Sequence, residues 1–240
     1  MRVSLISLLL LAAACGPKEV VMKGTVFDSP GDSAAPFSGA KISIFDEDEN
    51  KYDNAKANAS GKFEAVAPEG AYIHAEISGD GFETTSFTGP SGLSDVFRVE
   101  DGTLYGLSSD ERAEWEARFA GCPDLDEPGG VIFGEIRMLE LTENGEHPLV
   151  NGVAEVVTQN QKTLWRACYL DEDGIAFDAD ATSTGVLGAF AIFGIEPGTH
   201  ILTVGWEFAP DVWSYSDTWV RVIDGGVAPR FPAWVEWPDV

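Results

Sequence analysis

One ordered set of short motifs occurs twice in this chain, and that duplication constrains the fold more than any other feature. Lys23-Gly24-Thr25-Val26 opens the first set and Phe133-Gly134-Glu135-Ile136 the second. The stretch Phe37 to Ile44, with Ile42 and Ile44 alternating, corresponds to Val150 to Val156. Ser60-Gly61-Lys62-Phe63 then matches Leu187-Gly188-Ala189-Phe190, and Pro68-Glu69-Gly70 matches Glu196-Pro197-Gly198. Tyr72 to Ile77 corresponds to His200 to Val204, and Arg98-Val99-Glu100-Asp101-Gly102 to Arg221-Val222-Ile223-Asp224-Gly225. Six matches in one order make a repeat. The offset grows from 110 at Gly24/Gly134 to 123 at Arg98/Arg221, so the second copy is longer inside.

Within each copy the apolar residues alternate with polar ones, which gives a strand one buried face and one wet face. Gly61 and Gly188, just before the motif phenylalanines, supply the backbone freedom of tight turns. The expected fold is all-β: two tandem antiparallel β-sandwiches joined by one short α-helix. At the motifs just quoted the chain resembles the carboxypeptidase regulatory-like domain, closely over residues 21–88 and more loosely over 131–210. That resemblance implies Greek-key sandwiches of transthyretin-like or Ig-like type, with about seven strands each, and an accessory, non-catalytic role. The helix is read between the copies. Ser108-Ser109-Asp110-Glu111 forms a capping box, Arg112, Trp115 and Phe119 share a face, Glu114 and Arg118 are expected to pair at i,i+4, and Gly121 ends it. The domain division is thus a leader over 1–14, a tether over 15–20, a first sandwich over 21–105, a helical linker over 106–130 and a second sandwich over 131–240.

The leader has one basic residue, Arg2, then an apolar run from Val3 to Leu11 that is too short to span a bilayer. Leu11-Ala12-Ala13-Ala14-Cys15 resembles the lipobox of bacterial lipoproteins, which implies cleavage before Cys15, acylation of that cysteine and a lipid-anchored place in the cell envelope. Gly16 resembles the outer-membrane sorting pattern, with the protein on the periplasmic or the surface face. An ordinary signal peptide cut nearby is the alternative. With Cys15 acylated, Cys122 and Cys168 remain. In an oxidising compartment they form either a disulfide or two separate buried thiols.

The chain holds 40 Asp and Glu against 15 Lys and Arg, a net charge of -25. Such a polyanion without a basic patch does not bind nucleic acid. Removing the leader loses Arg2 and no acid, so the mature chain carries -26. Hard oxygen ligands around a glycine suit calcium. Asp171, Asp173, Asp178 and Asp180 around Gly174 form the candidate site, and Asp46-Glu47-Asp48-Glu49 is a weaker one. A solvated acidic loop is the plainer reading of both. Five of seven tryptophans fall in the last 35 residues. Trp206 and Trp219 sit in strand patterns and are expected in the second core. Trp213, Trp234 and Trp237 are candidates for ligand binding, where an indole face stacks on a sugar ring. The histidines His74, His147 and His200 have no metal-ligating or catalytic spacing, and no nucleophile elbow or phosphate loop is present.

These features point to a non-catalytic, membrane-anchored lipoprotein that binds a protein partner or an envelope glycan. A calcium-stabilised carbohydrate-binding lipoprotein is the first alternative. A hydrolase with a site at the domain junction is the second. A histidine converging with two carboxylates would favour the hydrolase, a flat exposed aromatic row the glycan, and a single apolar patch the protein partner.

Overall fold

The computed structural model describes residues 18–30, 34–93, 97–139, 146–148, 151–158 and 162–235; the leader, Cys15 and Trp237 lie outside them. The first copy contributes β1 (Glu19–Phe27), β2 (Lys41–Phe45), β3 (Lys51–Lys56), β4 (Lys62–Pro68), β5 (Tyr72–Gly79), β6 (Phe82–Pro90) and β7 (Gly102–Tyr105). After α1 (Ser109–Arg118) come β8 (Gly130–Leu139), β9 (Glu146–Pro148), β10 (Gly152–Thr158), β11 (Leu164–Arg166) and β12 (Cys168–Tyr169). β13 (Ala189–Ile195), β14 (Gly198–Ala209), β15 (Val212–Val222) and β16 (Arg230–Val235) complete the chain. The first strand begins at Glu19, so the stretch read as tether is shorter than expected. Among the described residues no helix is long and apolar enough to cross a membrane.

The duplication is visible in the sheets. The first copy has strand orders β4-β1-β7 and β3-β2-β5-β6; the second has β13-β8-β16 and β11-β10-β14-β15. Seven strands correspond one to one. The second copy adds β12 beside β13 and the short β9 beside β8, which accounts for part of its extra length. In both copies the last strand lies parallel to the first, β7 on β1 and β16 on β8. Each sandwich closes on its own core. Met22, Val26, Ile42, Ile44, Phe63, Ile73 and Ile77 pack in the first, and Ile132, Ile136, Val156, Phe190, Leu202, Val204 and Val220 in the second.

The repeated glycine and phenylalanine have one shared cause. Gly24 pairs with Phe63 across the β1–β4 ladder, and Gly134 with Phe190 across β8–β13. A Cβ on Gly24 would run into the carbonyl oxygen of Gly102 on β7 and lie 2.9 Å from the Phe63 ring. A Cβ on Gly134 would stand 2.6 Å from the Phe190 ring and 2.8 Å from the Arg230 carbonyl oxygen. The aromatic ring lies over the glycine while the parallel strand closes in beside it, and no side chain fits between them. Gly61 and Gly188, which precede these phenylalanines, both hold positive φ, at 71° and 66°.

α1 has the expected capping box: the Ser108 hydroxyl accepts from the Glu111 N–H, and the Glu111 carboxylate accepts from the Ser108 N–H. Its ion pairing differs from the sequence reading. Arg112 pairs with Glu116 at 2.8 Å, whereas Arg118 lies over the Trp115 ring and donates to the Gly174 carbonyl at 2.8 Å. The aromatic face of the helix draws Arg118 inward, away from Glu114. Trp115, Phe119 and Cys122 pack with Phe133 and Phe193 in a third apolar cluster on the second sandwich, opposite that sandwich's own core. This cover explains why β13 is buried almost throughout. Cys122 and Cys168 form a disulfide, which fixes the end of the helix to β12.

Gly24→Ala and Gly134→Ala are each expected to lower stability by about 2 kcal/mol through overpacking, read as a lower urea midpoint at unchanged slope. Replacing Cys122 and Cys168 together by Ala should lower it by about 4 kcal/mol, since the bridge spans a separation of 46 residues, with the loss read on melting of the second sandwich.

Candidate functional site

The two sandwiches meet edge to edge. β6 ends one sheet of the first copy and β15 ends the matching sheet of the second. β6 meets β15 through hydroxyl side chains. The Thr88 hydroxyl accepts from the Arg221 N–H at 3.0 Å, and the Ser86 hydroxyl donates to the Arg221 carbonyl. Beyond β15, the Ser86 N–H donates to the Val227 carbonyl and the Val227 N–H to the Thr84 carbonyl, both at 2.9 Å. Arg112 of the helix adds bonds to Glu83 (2.9 Å) and to the Gly225 carbonyl (2.7 Å), and the Arg221 guanidinium pairs with Glu49. Backbone groups that an exposed edge would leave unpaired are thereby satisfied.

Beside this seam lies a cleft of about 390 Å³ that both copies line: Glu47, Asp48, Tyr72, Ile73, His74 and Thr88 from the first, Thr199 and Trp219 from the second. The acidic run at 46–49 builds its rim. Asp46 folds the turn by accepting from the N–H groups of Asp48 (3.0 Å) and Asn50 (2.8 Å), and Glu49, at φ 67°, points to Arg221. That leaves Glu47 and Asp48 for the cleft. Tyr72 and Trp219 meet edge to face, with ring centroids 6.5 Å apart. Beneath the cleft His74 is only 4% exposed and stacks on Phe45 at 5.0 Å. Burial, and next the nearby Arg221, push its imidazole down to about 4, so it is neutral at physiological pH. Burial also raises the Glu76 carboxyl.

Trp219 is a correction. It was expected in the second core, yet it is 38% exposed. Val220 and Val222 are buried, so the odd positions of β15 face out. Trp213, Tyr215, Asp217 and Trp219 therefore share the outer face of the sheet. Trp213 and Tyr215 are 39% and 61% exposed and stack at 5.9 Å. Gly205 of β14 stands opposite Tyr215, and a Cβ there would lie 2.6 Å from the tyrosine ring. Asp217 accepts from the Thr203 hydroxyl at 2.7 Å. Trp206, on the inner face, is partly buried against the second core, as expected.

Other sequence candidates are placed as follows. Asp171 accepts from the Ile175 N–H (2.7 Å) and Asp178 from the Asp180 N–H (2.9 Å), so two of the four proposed calcium ligands each anchor a turn. Asp178 and Asp180 line a cleft with Glu172, but among the described residues no three His, Cys, Asp or Glu side chains gather as metal ligands. Trp234 falls in β16, in register with Arg137. His200 donates from Nε2 to the Glu196 carbonyl at 2.7 Å and packs edge-on against Trp165, and His147 falls in β9. Tyr72 and Tyr215 were not singled out from sequence. The phase of alternation set by Val220 and Val222 carries the signal for Tyr215, whereas Tyr72 acquires its role only from the packing of the two copies.

A histidine whose folded pKa lies below its ordinary 6.5 takes up a proton more readily unfolded, so its contribution to stability is full above pH 6.5 and is lost as pH falls towards about 4. The wild-type protein should lose about 3 kcal/mol more over that window than a His74→Phe variant, measured by urea unfolding at stepped pH.

No family model matches the chain, and no curated protein matches it. Among solved structures it is similar to the minor pilin GBS52 of Streptococcus agalactiae, at 13% identity over 92% of this chain and 98% of that one, TM-score 0.32. The shaft pilin SpaA of Lactobacillus rhamnosus GG is 12% identical over 94% and 99%, TM-score 0.27, and the major pilin BcpA of Bacillus cereus 10% identical over 88% and 69%, TM-score 0.26. Likenesses at this level carry no argument about what the chain does.

Proposed function

We propose that this protein is a non-catalytic, lipid-anchored envelope module of two carboxypeptidase regulatory-like sandwiches, and that the outer face of β15 binds a glycan. The row formed by Trp213, Tyr215 and Trp219 is the observation that carries the reading. Six residues of extended strand separate its ends, about 20 Å, which matches a short oligosaccharide rather than one sugar. Aromatic faces stack on the C–H faces of sugar rings, and the exposed carboxylates along the row, Asp217 and Glu207, are acceptors for sugar hydroxyls. Gly205 keeps the floor under Tyr215 flat. The anchor at Cys15 and the outer-membrane location rest on the lipobox residues, and the separation of Cys15 from Glu19 keeps the first sandwich close to the membrane surface.

The junction hydrolase has one observation in its favour, since His74 shares the cleft with Glu47 and Asp48. The geometry argues against it. The imidazole is buried and stacked on Phe45, its charge is affected by Asp46 and Glu49 rather than by the two cleft acids, and no hydrogen bond joins it to a carboxylate or to a nucleophile among the described residues.

Titrating the protein with a panel of envelope oligosaccharides should quench tryptophan fluorescence for at least one class. A Trp213→Ala/Tyr215→Ala variant with unchanged circular dichroism should bind it at least tenfold more weakly. A panel with no ligand, or equal binding by the variant, would remove the glycan reading and leave a protein partner for this face.

A further inference from the structure

We propose that the cleft between the two sandwiches is a binding site for an organic ammonium group. This goes beyond the glycan reading and does not depend on it. Trp219 and Tyr72 meet edge to face at 64° and both line one cavity. A cation is drawn to such faces, most strongly to an indole, and more so where water is partly excluded. Glu47 and Asp48 line the same cavity and supply negative charge to it. Of the positive groups nearby, one is neutralised by an ion pair and two keep their charge against neutral partners. Arg221 is paired with Glu49, Arg230 donates to the Trp219 carbonyl at 2.9 Å, and Lys51 lies over the Phe45 ring. His74 adds no charge at neutral pH.

The size and the ligand set decide between kinds of cation. A bare metal ion needs several carboxylates converging on a point, and the described residues hold no group of three. At about 390 Å³ the cleft is of small-molecule dimensions, with Thr88 and Thr199 as hydroxyl partners for a polar tail. The field of a chain with a net charge of -25 raises the local concentration of any cation around it. An ammonium bearing methyl or methylene groups meets all of these terms together: its charge faces the carboxylates and its carbon shell faces the rings. The same head could arrive as a free amine or as the headgroup of a phospholipid, because Lys18, where the described chain begins, is bound to Glu69 on the turn just before Tyr72.

Calorimetric titration of the full chain in non-ionic detergent, with choline as probe, tests the site. Saturable one-to-one binding is expected, weakened by salt, with the uncharged isostere 3,3-dimethyl-1-butanol at least tenfold weaker. Trp219→Leu should abolish binding. Glu47→Gln/Asp48→Asn, on an exposed turn where folding is not at stake, should weaken it at least tenfold. Trp213→Ala should leave choline binding intact while impairing the glycan face, so failure of one reading is separable from failure of the other. Competition by phosphatidylcholine vesicles, and not by phosphatidylglycerol vesicles, would assign the headgroup as source; absence of competition would assign a free amine. No saturable choline binding, equal binding of the uncharged isostere, or no effect of the Glu47/Asp48 variant would overturn the proposal.

Discussion

The N–H and C=O of Arg221 are both satisfied by hydroxyls from the other sandwich, and the placing of the two copies and the cleft between them follow from that seam. An edge strand offers unpaired backbone groups to any passing chain. Here the outer edges of two sheets cover one another, with Ser86 and Thr88 standing in for a strand. A hydroxyl can donate or accept, so Ser86 and Thr88 satisfy both kinds of group on Arg221, while the backbone bonds of Thr84 and Ser86 to Val227 fix the register. The seam sets where Trp219 lies against Tyr72, turns Glu49 towards Arg221, and leaves the cleft beside it. Neither sandwich has that cleft alone.

Much of the fold could be read from the residues because the constraints that shape it are local. The pairing of Gly24 with Phe63, and of Gly134 with Phe190, needs only two adjacent strands and a third closing in. Such a requirement leaves a motif, and the motif occurs twice. The capping box of α1 is likewise a matter of four consecutive residues. The disulfide followed from counting cysteines in an oxidising setting, although sequence alone left two buried thiols open.

What sequence misjudged depends on longer range. Trp219 looks like a core residue because tryptophan in a strand usually is one. Its face is decided by Val220 and Val222, and a one-residue change of phase reverses inside and outside. The acidic run 46–49 reads as four equivalent carboxylates, yet it divides into a turn anchor, an ion-pair partner and two cleft residues once Arg221 arrives from 172 residues away. The aspartates at 171–180 divide in a related way. A short acidic side chain beside a glycine serves a turn as readily as it serves a metal, and Asp171 and Asp178 each accept from a turn N–H.

The parallel pairing of first and last strands has a mechanical meaning. In each copy the chain comes in at one end of β1 or β8 and leaves at the opposite end of β7 or β16. A pull between a membrane anchor at the N-terminus and a ligand held on the second sandwich would load the β1–β7 ladder lengthwise. The hydrogen bonds between those two strands would then share the load in shear and would not open one at a time. A sandwich threaded in this way can pass tension from the start of its first strand to the end of its last without being unzipped by it.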